Sequence, residues 1–237
     1  SEAADLGDSY LPVALAGRNY KRQSGYRRTA AEIAAGVTPV NYGYAPGDVR
    51  RYGASASASA AANTLAIQNA INAAVGEYPV ILYDLYPCNG LTILSDTTII
   101  ALQKGHGLIG SGAISGIVAS LNDVTIDGVS LFGALYLQLS GDAVGTLAKR
   151  ITLRDVYIET SINSAALYGA ALNNMDGLTV ENLHVHLTAT SGDTRGIGLG
   201  VVHNSNLRGL RVTGGVSMGI ETYGGDVNNP SLLNTRI

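Results

Sequence analysis

Val124-Thr125-Ile126-Asp127-Gly128-Val129-Ser130-Leu131 recurs as Ile151-Thr152-Leu153-Arg154-Asp155-Val156-Tyr157-Ile158, then as Leu178-Thr179-Val180-Glu181-Asn182-Leu183-His184-Val185, and once more as Ser205-Asn206-Leu207-Arg208-Gly209-Leu210-Arg211-Val212. From Ile126 to Leu153, to Val180 and to Leu207 the step is 27 residues each time. A fixed period of that length marks stacked units of one architecture. Within each copy apolar residues alternate with polar ones, and two alternations meet at a non-apolar position, so each copy reads as two short strands hinged at a corner. The corner residues are Gly128, Asp155, Asn182 and Gly209. Gly, Asn and Asp are the types that tolerate a left-handed backbone, so one bend with positive φ explains all four.

Three inward columns follow: Ile126/Leu153/Val180/Leu207, Val129/Val156/Leu183/Leu210 and Leu131/Ile158/Val185/Val212. The outward column Asp127, Arg154, Glu181, Arg208 alternates in charge, which suits neighbouring strands about 4.8 Å apart and reads as a register ladder. The expected fold is all-β: a right-handed parallel β-helix with coils of 27 residues. The pattern extends upstream to Ile99 and Leu102, and downstream to Leu232, Asn234 and Ile237 at a shorter step of 25. Helical solenoids do not fit segments that alternate at two and carry β-branched residues. A leucine-rich repeat would need a helical half, and Ala165–Asn174 and Gly192–Asn204 supply none.

Composition agrees. Charged residues are 14% of 237, Gly numbers 30 and Trp is absent, a balance that favours sheets and tight turns. The net charge of -3 gives no basic field for a phosphate backbone, so nucleic acid is not expected as a partner. Cys88 is the single cysteine, which excludes an internal disulfide and leaves stability to packing. No apolar run approaches the length of a membrane span and no signal-peptide layout is visible, so neither membrane insertion nor an export signal is expected. The start at Ser1 and the stop at Ile237 within a strand-like run suggest a portion of something longer.

Ahead of the coils, residues 1–47 read as a linker or attachment segment, with Arg18, Lys21, Arg22, Arg27 and Arg28 among Tyr10, Tyr20 and Tyr26. Thr29–Ala35 is expected as a short helix ended by Gly36. Residues 48–98 read as a cap: Ala54–Ala62 as a loop, a helix over 63–75 capped by Asn63 and stopped by Gly76, then a first strand at Pro79–Tyr83. Ala66, Ile67, Ala70, Ile71 and Ala74 share one helical face, as a cap over the open end of a solenoid requires. Residues 99–237 are the coils.

Three segments carry a likeness: Arg28-Thr-Ala-Ala-Glu-Ile-Ala-Ala-Gly-Val-Thr-Pro-Val-Asn-Tyr42, Asp48-Val-Arg-Arg-Tyr-Gly-Ala54 and Ala66-Ile-Gln-Asn-Ala-Ile-Asn72. With the coils they make residues 27–237 resemble the pectate-lyase-like β-helix superfamily, most of all bacteriophage tailspikes and polysaccharide depolymerases. Where that family places an acidic, Gly-containing loop, this chain has Ser55-Ala-Ser-Ala-Ser-Ala60, so any function of that loop does not carry over. The resemblance implies a homotrimeric spike in the virion tail, outside the cell, joined to other tail proteins through its N-terminal segment. Its shaft would bind, and in many members cleave, bacterial surface polysaccharide by hydrolysis or elimination.

Glycoside cleavage commonly uses two carboxyl groups held across the bond. The carboxylates off the charge ladder and near loops are Glu159, Asp193, Glu221 and Asp226, and these are the catalytic candidates; none is paired by sequence alone. The outward column Tyr157, His184, Arg211 places an aromatic ring, an imidazole and a guanidinium along one face. With Glu159 and His186 beside it this is the candidate sugar-contacting strip, and Tyr157, His184, His186, Arg211 and Tyr223 are the candidate carbohydrate-binding residues, since rings stack on sugar faces and Arg and His address acidic groups. His184 and His186 have no third ligand at a known spacing, so no metal is expected, and no cofactor motif survives inspection. Gly105–Gly110 matches a dinucleotide fingerprint, but the Gly-broken Ser111–Ser115 cannot open the required helix. Gly215–Gly219 matches a nucleophile elbow, yet no His follows His203.

The leading expectation is therefore a tailspike-like protein that recognises surface polysaccharide, with or without cleavage. The alternatives are a non-enzymatic virion appendage or adaptor, and a secreted bacterial polyuronate lyase or epimerase.

Overall fold

The structure is a computed structural model and describes residues 25–117, 121–141, 146–164, 166–190, 192–215, 218–223 and 232–237. The chain is a parallel β-solenoid of about 5 turns behind a short helical cap. Among the described residues every strand pairing is parallel, and successive coils wind one continuous sheet around one apolar interior, with three main faces, the first, second and third sheets.

The first sheet is a ladder that runs Val80, Ile99, Ile126, Leu153, Val180, Leu207, each residue paired with the next. All six are buried. Thr98, Thr125, Thr152 and Thr179 stack beside them as an outward column. The expected charge ladder is present: Arg154 lies 3.1 Å from Asp127 and 3.2 Å from Glu181, with Arg208 next in register. The corner that follows carries φ of 69° at Gly128, 49° at Asp155, 61° at Asn182 and 67° at Gly209, as the residue types require.

After the corner the second sheet begins, its inward column running Tyr86, Leu108, Leu131, Ile158, Val185, Val212. The third sheet stacks Leu91, Ile114, Leu137, Ala170, Ile197 and Ile220. Its strands at Ala170–Asn173 and Arg195–Leu199 fall in segments where the repeat gives no pattern.

At the front, α1 spans Ala30–Ala34 and α2 spans Ala60–Ala74. Thr29 caps α1, and Gly36 beyond it has φ of 68°. Helix α2 starts one turn before Asn63. Its cap is Ser59, whose hydroxyl accepts from the Ala62 N–H at 3.2 Å. The Ala run at 60–62 has the highest helix propensity available, so the helix extends back to the last serine able to cap it. Asn63 instead pins the Ala/Ser loop. Wholly buried, it accepts from the N–H of Ser55 and donates to its carbonyl, both at 2.9 Å. The helix sets Ala66, Ile67, Ala70, Ile71 and Ala74 inward, and Ile67 meets Leu82, Leu91 and Leu108 across one small apolar gap at the end of the coils.

Residues 25–47, which lie in the expected linker or attachment segment, pack on this cap. Arg51 and Glu32, both with side chains fully buried, form a 2.6 Å ion pair. Arg51 also donates to the carbonyls of Tyr26, Arg27 and Tyr44, and Tyr52 donates its hydroxyl to Glu32 at 2.8 Å. The basic-aromatic residues before position 25 lie outside the described residues.

Both outer coils depart from expectation. Leu102, expected one coil below Val129, is 52% exposed: Ile99 to Leu108 spans nine residues where the paired Ile126 to Leu131 spans five, so the 27-residue step does not hold across this corner. At the far end Leu232 pairs with Val202 and Asn234 donates to Asn204 at 3.1 Å, a step of 30 and not 25. Ile220 pairs with Ile197 and Leu232 with Val202, so twelve residues of sequence separate these pairings where five do on the coil below. Among the described residues no helix is long and apolar enough to cross a membrane.

Candidate functional site

The alternation that sends Leu131, Ile158, Val185 and Val212 inward sends two columns outward on the second sheet. One runs Gly107, Ser130, Tyr157, His184, Arg211; the other runs Ile109, Phe132, Glu159, His186, Thr213. Three rings meet across the coils. Phe132 and Tyr157 have centroids 5.8 Å apart, and Tyr157 meets His184 edge-on at 5.2 Å. The strip therefore changes character along the solenoid axis, from aromatic at Phe132 and Tyr157 to imidazole at His184 and His186 and guanidinium at Arg211.

Its polar groups are tied to one another. Tyr157 donates its hydroxyl to Glu159 at 2.9 Å. Burial, then the carboxylate it bonds, pushes the Tyr157 phenol above its ordinary range. Thr213 Oγ1 sits between two imidazoles, 2.8 Å from His184 Nε2 and 2.9 Å from His186 Nδ1. Burial, then Arg211 and His186, holds His184 below the ordinary imidazole value. Arg211 is exposed, and among the described residues it has no ion-pair partner. Sequence spacing foresaw Tyr157, Glu159, His184, His186 and Arg211 together; it missed Phe132 and Thr213, although both lie one coil from named members.

Three other candidates meet on the third sheet. Arg195 lies 3.6 Å from Asp193 and 3.7 Å from Glu221. Tyr168 donates to Glu221 at 2.5 Å and accepts from Arg195 at 3.2 Å. Tyr223 stacks on Tyr168, with centroids 5.4 Å apart and planes 9° apart, and donates to Asn173. These rings reach toward each other across Gly198, which lies on the coil between them: a Cβ there would stand 2.9 Å from both. Asp193 and Glu221 thus flank a shared guanidinium, and the two tyrosines clasp three coils. Tyr168 and Arg195 are one 27-residue period apart but lie outside the alternating copies that sequence reading used. Asp226 lies outside the described residues, as does Ser217 of the elbow-like match.

No family model, no curated protein and no solved structure matches this chain.

Proposed function

We propose that the chain is a surface-polysaccharide recognition protein of tailspike type, and that it holds its glycan along the outward strip of the second sheet. The β-solenoid is compatible with polysaccharide binding. The observation that carries the proposal is the continuous run Phe132–Tyr157–His184 ending at Arg211, ring against ring over successive coils. Coils about 4.8 Å apart present contacts at a regular spacing along the axis, which suits an extended chain of repeating units better than a compact ligand. Aromatic rings offer apolar faces to sugar rings while Arg and His address acidic or hydroxyl groups.

The tailspike component rests on the N-terminal segments quoted above, and with it come the homotrimer, the virion tail outside the cell and attachment to other tail proteins. Cleavage is the further step of the same reading. Glu159 is the carboxylate on the strip, and Asp193 and Glu221 are the two candidate carboxylates that share Arg195.

The test is to incubate the chain with capsule and lipopolysaccharide preparations and follow capture, new reducing ends and the absorbance of unsaturated products. Capture that is lost in Tyr157→Ala and Arg211→Ala, with folding unchanged, is the expected result. Reducing ends without unsaturation would assign hydrolysis, unsaturation would assign elimination, and capture alone would assign binding. No capture of any glycan would overturn the proposal in favour of a non-enzymatic appendage.

A further inference from the structure

The cationic end of the strip has a property that neither the fold nor the aromatic run demands. His184 Nε2 and His186 Nδ1 both address Thr213 Oγ1, and that hydroxyl has a single proton. It donates to one ring at most. At least one imidazole must therefore spend its own N–H on Thr213, and when that ring is neutral its other nitrogen is a bare acceptor. The nitrogens left for a ligand are His184 Nδ1 and His186 Nε2. Whatever the tautomers, the neutral pair cannot offer an N–H on both.

We propose that His184, His186 and Arg211 form the subsite for a carboxylate-bearing sugar, and that filling it takes up at least one proton, because a carboxylate facing a bare ring nitrogen is repelled until that nitrogen is protonated. This rests on the strip being the glycan surface. The charges around the pair fit the reversal. From the neighbouring coils, Arg211 faces His184, and Glu159 is the register partner of His186 while Tyr157 is that of His184. In the empty site Arg211 opposes a second positive charge. A bound carboxylate neutralises that opposition, and Glu159 on the other side supports the proton. Affinity then falls as pH rises through the range in which the empty pair is neutral, by about tenfold per pH unit for each proton taken up.

The experiment is capture of acidic and neutral bacterial polysaccharides by the full chain at about pH 6 and about pH 8, on either side of the ordinary histidine value near 6.5. Carboxyl-reduced forms of the acidic polysaccharides are run alongside. The expected result is selective capture of carboxylate-bearing glycans, tighter at the lower pH, and abolished by carboxyl reduction. Arg211→Gln weakens capture at both pH values. Thr213→Val frees both imidazoles to turn an N–H outward while neutral, so it narrows the difference in capture between the two pH values. Capture of neutral glycans, or capture indifferent to carboxyl reduction or to pH, overturns this inference and leaves glycan recognition standing. No capture at either pH removes both.

Discussion

Asn182 Nδ2 donates a 2.8 Å hydrogen bond to Asp155 Oδ1, one full coil below it. Both residues sit at the corner between the first and second sheets with left-handed backbone, φ 61° and 49°. The corner thus selects its residue type twice over, for the backbone angle and for the bond to the adjacent coil. An L residue other than Gly, Asn or Asp costs about 1–2 kcal/mol in that conformation, and a net hydrogen bond contributes about 1 kcal/mol. Asn182→Ala is expected to lose both contributions, about 2–3 kcal/mol in all, whereas Asn182→Gly loses the bond alone. Urea denaturation of the two variants checks the order. Equal losses would show that the corner angle does not select the residue.

The corner was legible because its residues fall into one column; much else in the coil was not. Ile158 to Ala170 spans twelve residues where Leu131 to Leu137 spans six, yet each route returns to the first sheet in register, at Val180 and Leu153. The connections on either side of the third sheet lengthen and shorten in compensation, so the 27-residue period survives in two sheets and hides the third. A second bend was hidden by composition. Asp96, Asp123, Arg150, Gly177 and Asn204 repeat at 27 and all have positive φ, but Arg150 is an unexpected type for that conformation. Candidate residues on the second sheet were legible for the same reason as the core, since register brings together residues one period apart. Tyr168 and Arg195 are also one period apart, but they lie outside the alternating copies, and Glu221 joins them off the 27-residue step.

The charge ladder gives an electrostatic prediction. Arg154 is held between Asp127 and Glu181, both partly exposed to solvent. Arg154→Glu would stack three like charges on consecutive strands, which opposes the native register. The variant is expected to be less stable than Arg154→Ala, with the gap closing as salt is raised, since such exposed interactions are screened over about 10 Å at 0.1 M ionic strength. Thermal melts of both variants at low and high salt decide it. A gap insensitive to salt would mean that packing, not charge, sets the effect.

Gly198 lies under the Tyr168–Tyr223 stack with an ordinary backbone, so a methyl there acts through space alone. Gly198→Ala is expected to destabilise by about 1–3 kcal/mol, the usual cost of overpacking. In the double variant with Tyr223→Ala the added methyl should cost less, because one of the two rings it meets is gone. A double-mutant cycle in chemical denaturation measures the difference. Strict additivity would place the clash elsewhere.

The cap responds to acid. Burial pushes the Glu32 carboxyl up, but the Arg51 guanidinium, the Thr29 N–H and the Tyr52 hydroxyl together outweigh it and hold the group below the ordinary carboxylate range. A carboxyl whose folded value lies below its unfolded value near about 4.3 contributes stability in full above that value and loses it as pH falls through the folded one. The cap is therefore expected to loosen below about pH 4, with α1 and the chain around Arg51 released first. Glu32→Gln removes the charge and strands a buried guanidinium, a change that costs about 3–5 kcal/mol in other buried pairs. The lower end is expected here, because three backbone carbonyls still accept from Arg51. Melting temperature followed from neutral pH into acid should show the wild type falling toward the variant, and the variant lacking that part of the fall. Parallel profiles would mean that Glu32 does not carry the acid response, and that the cap is held by the apolar face of α2 alone.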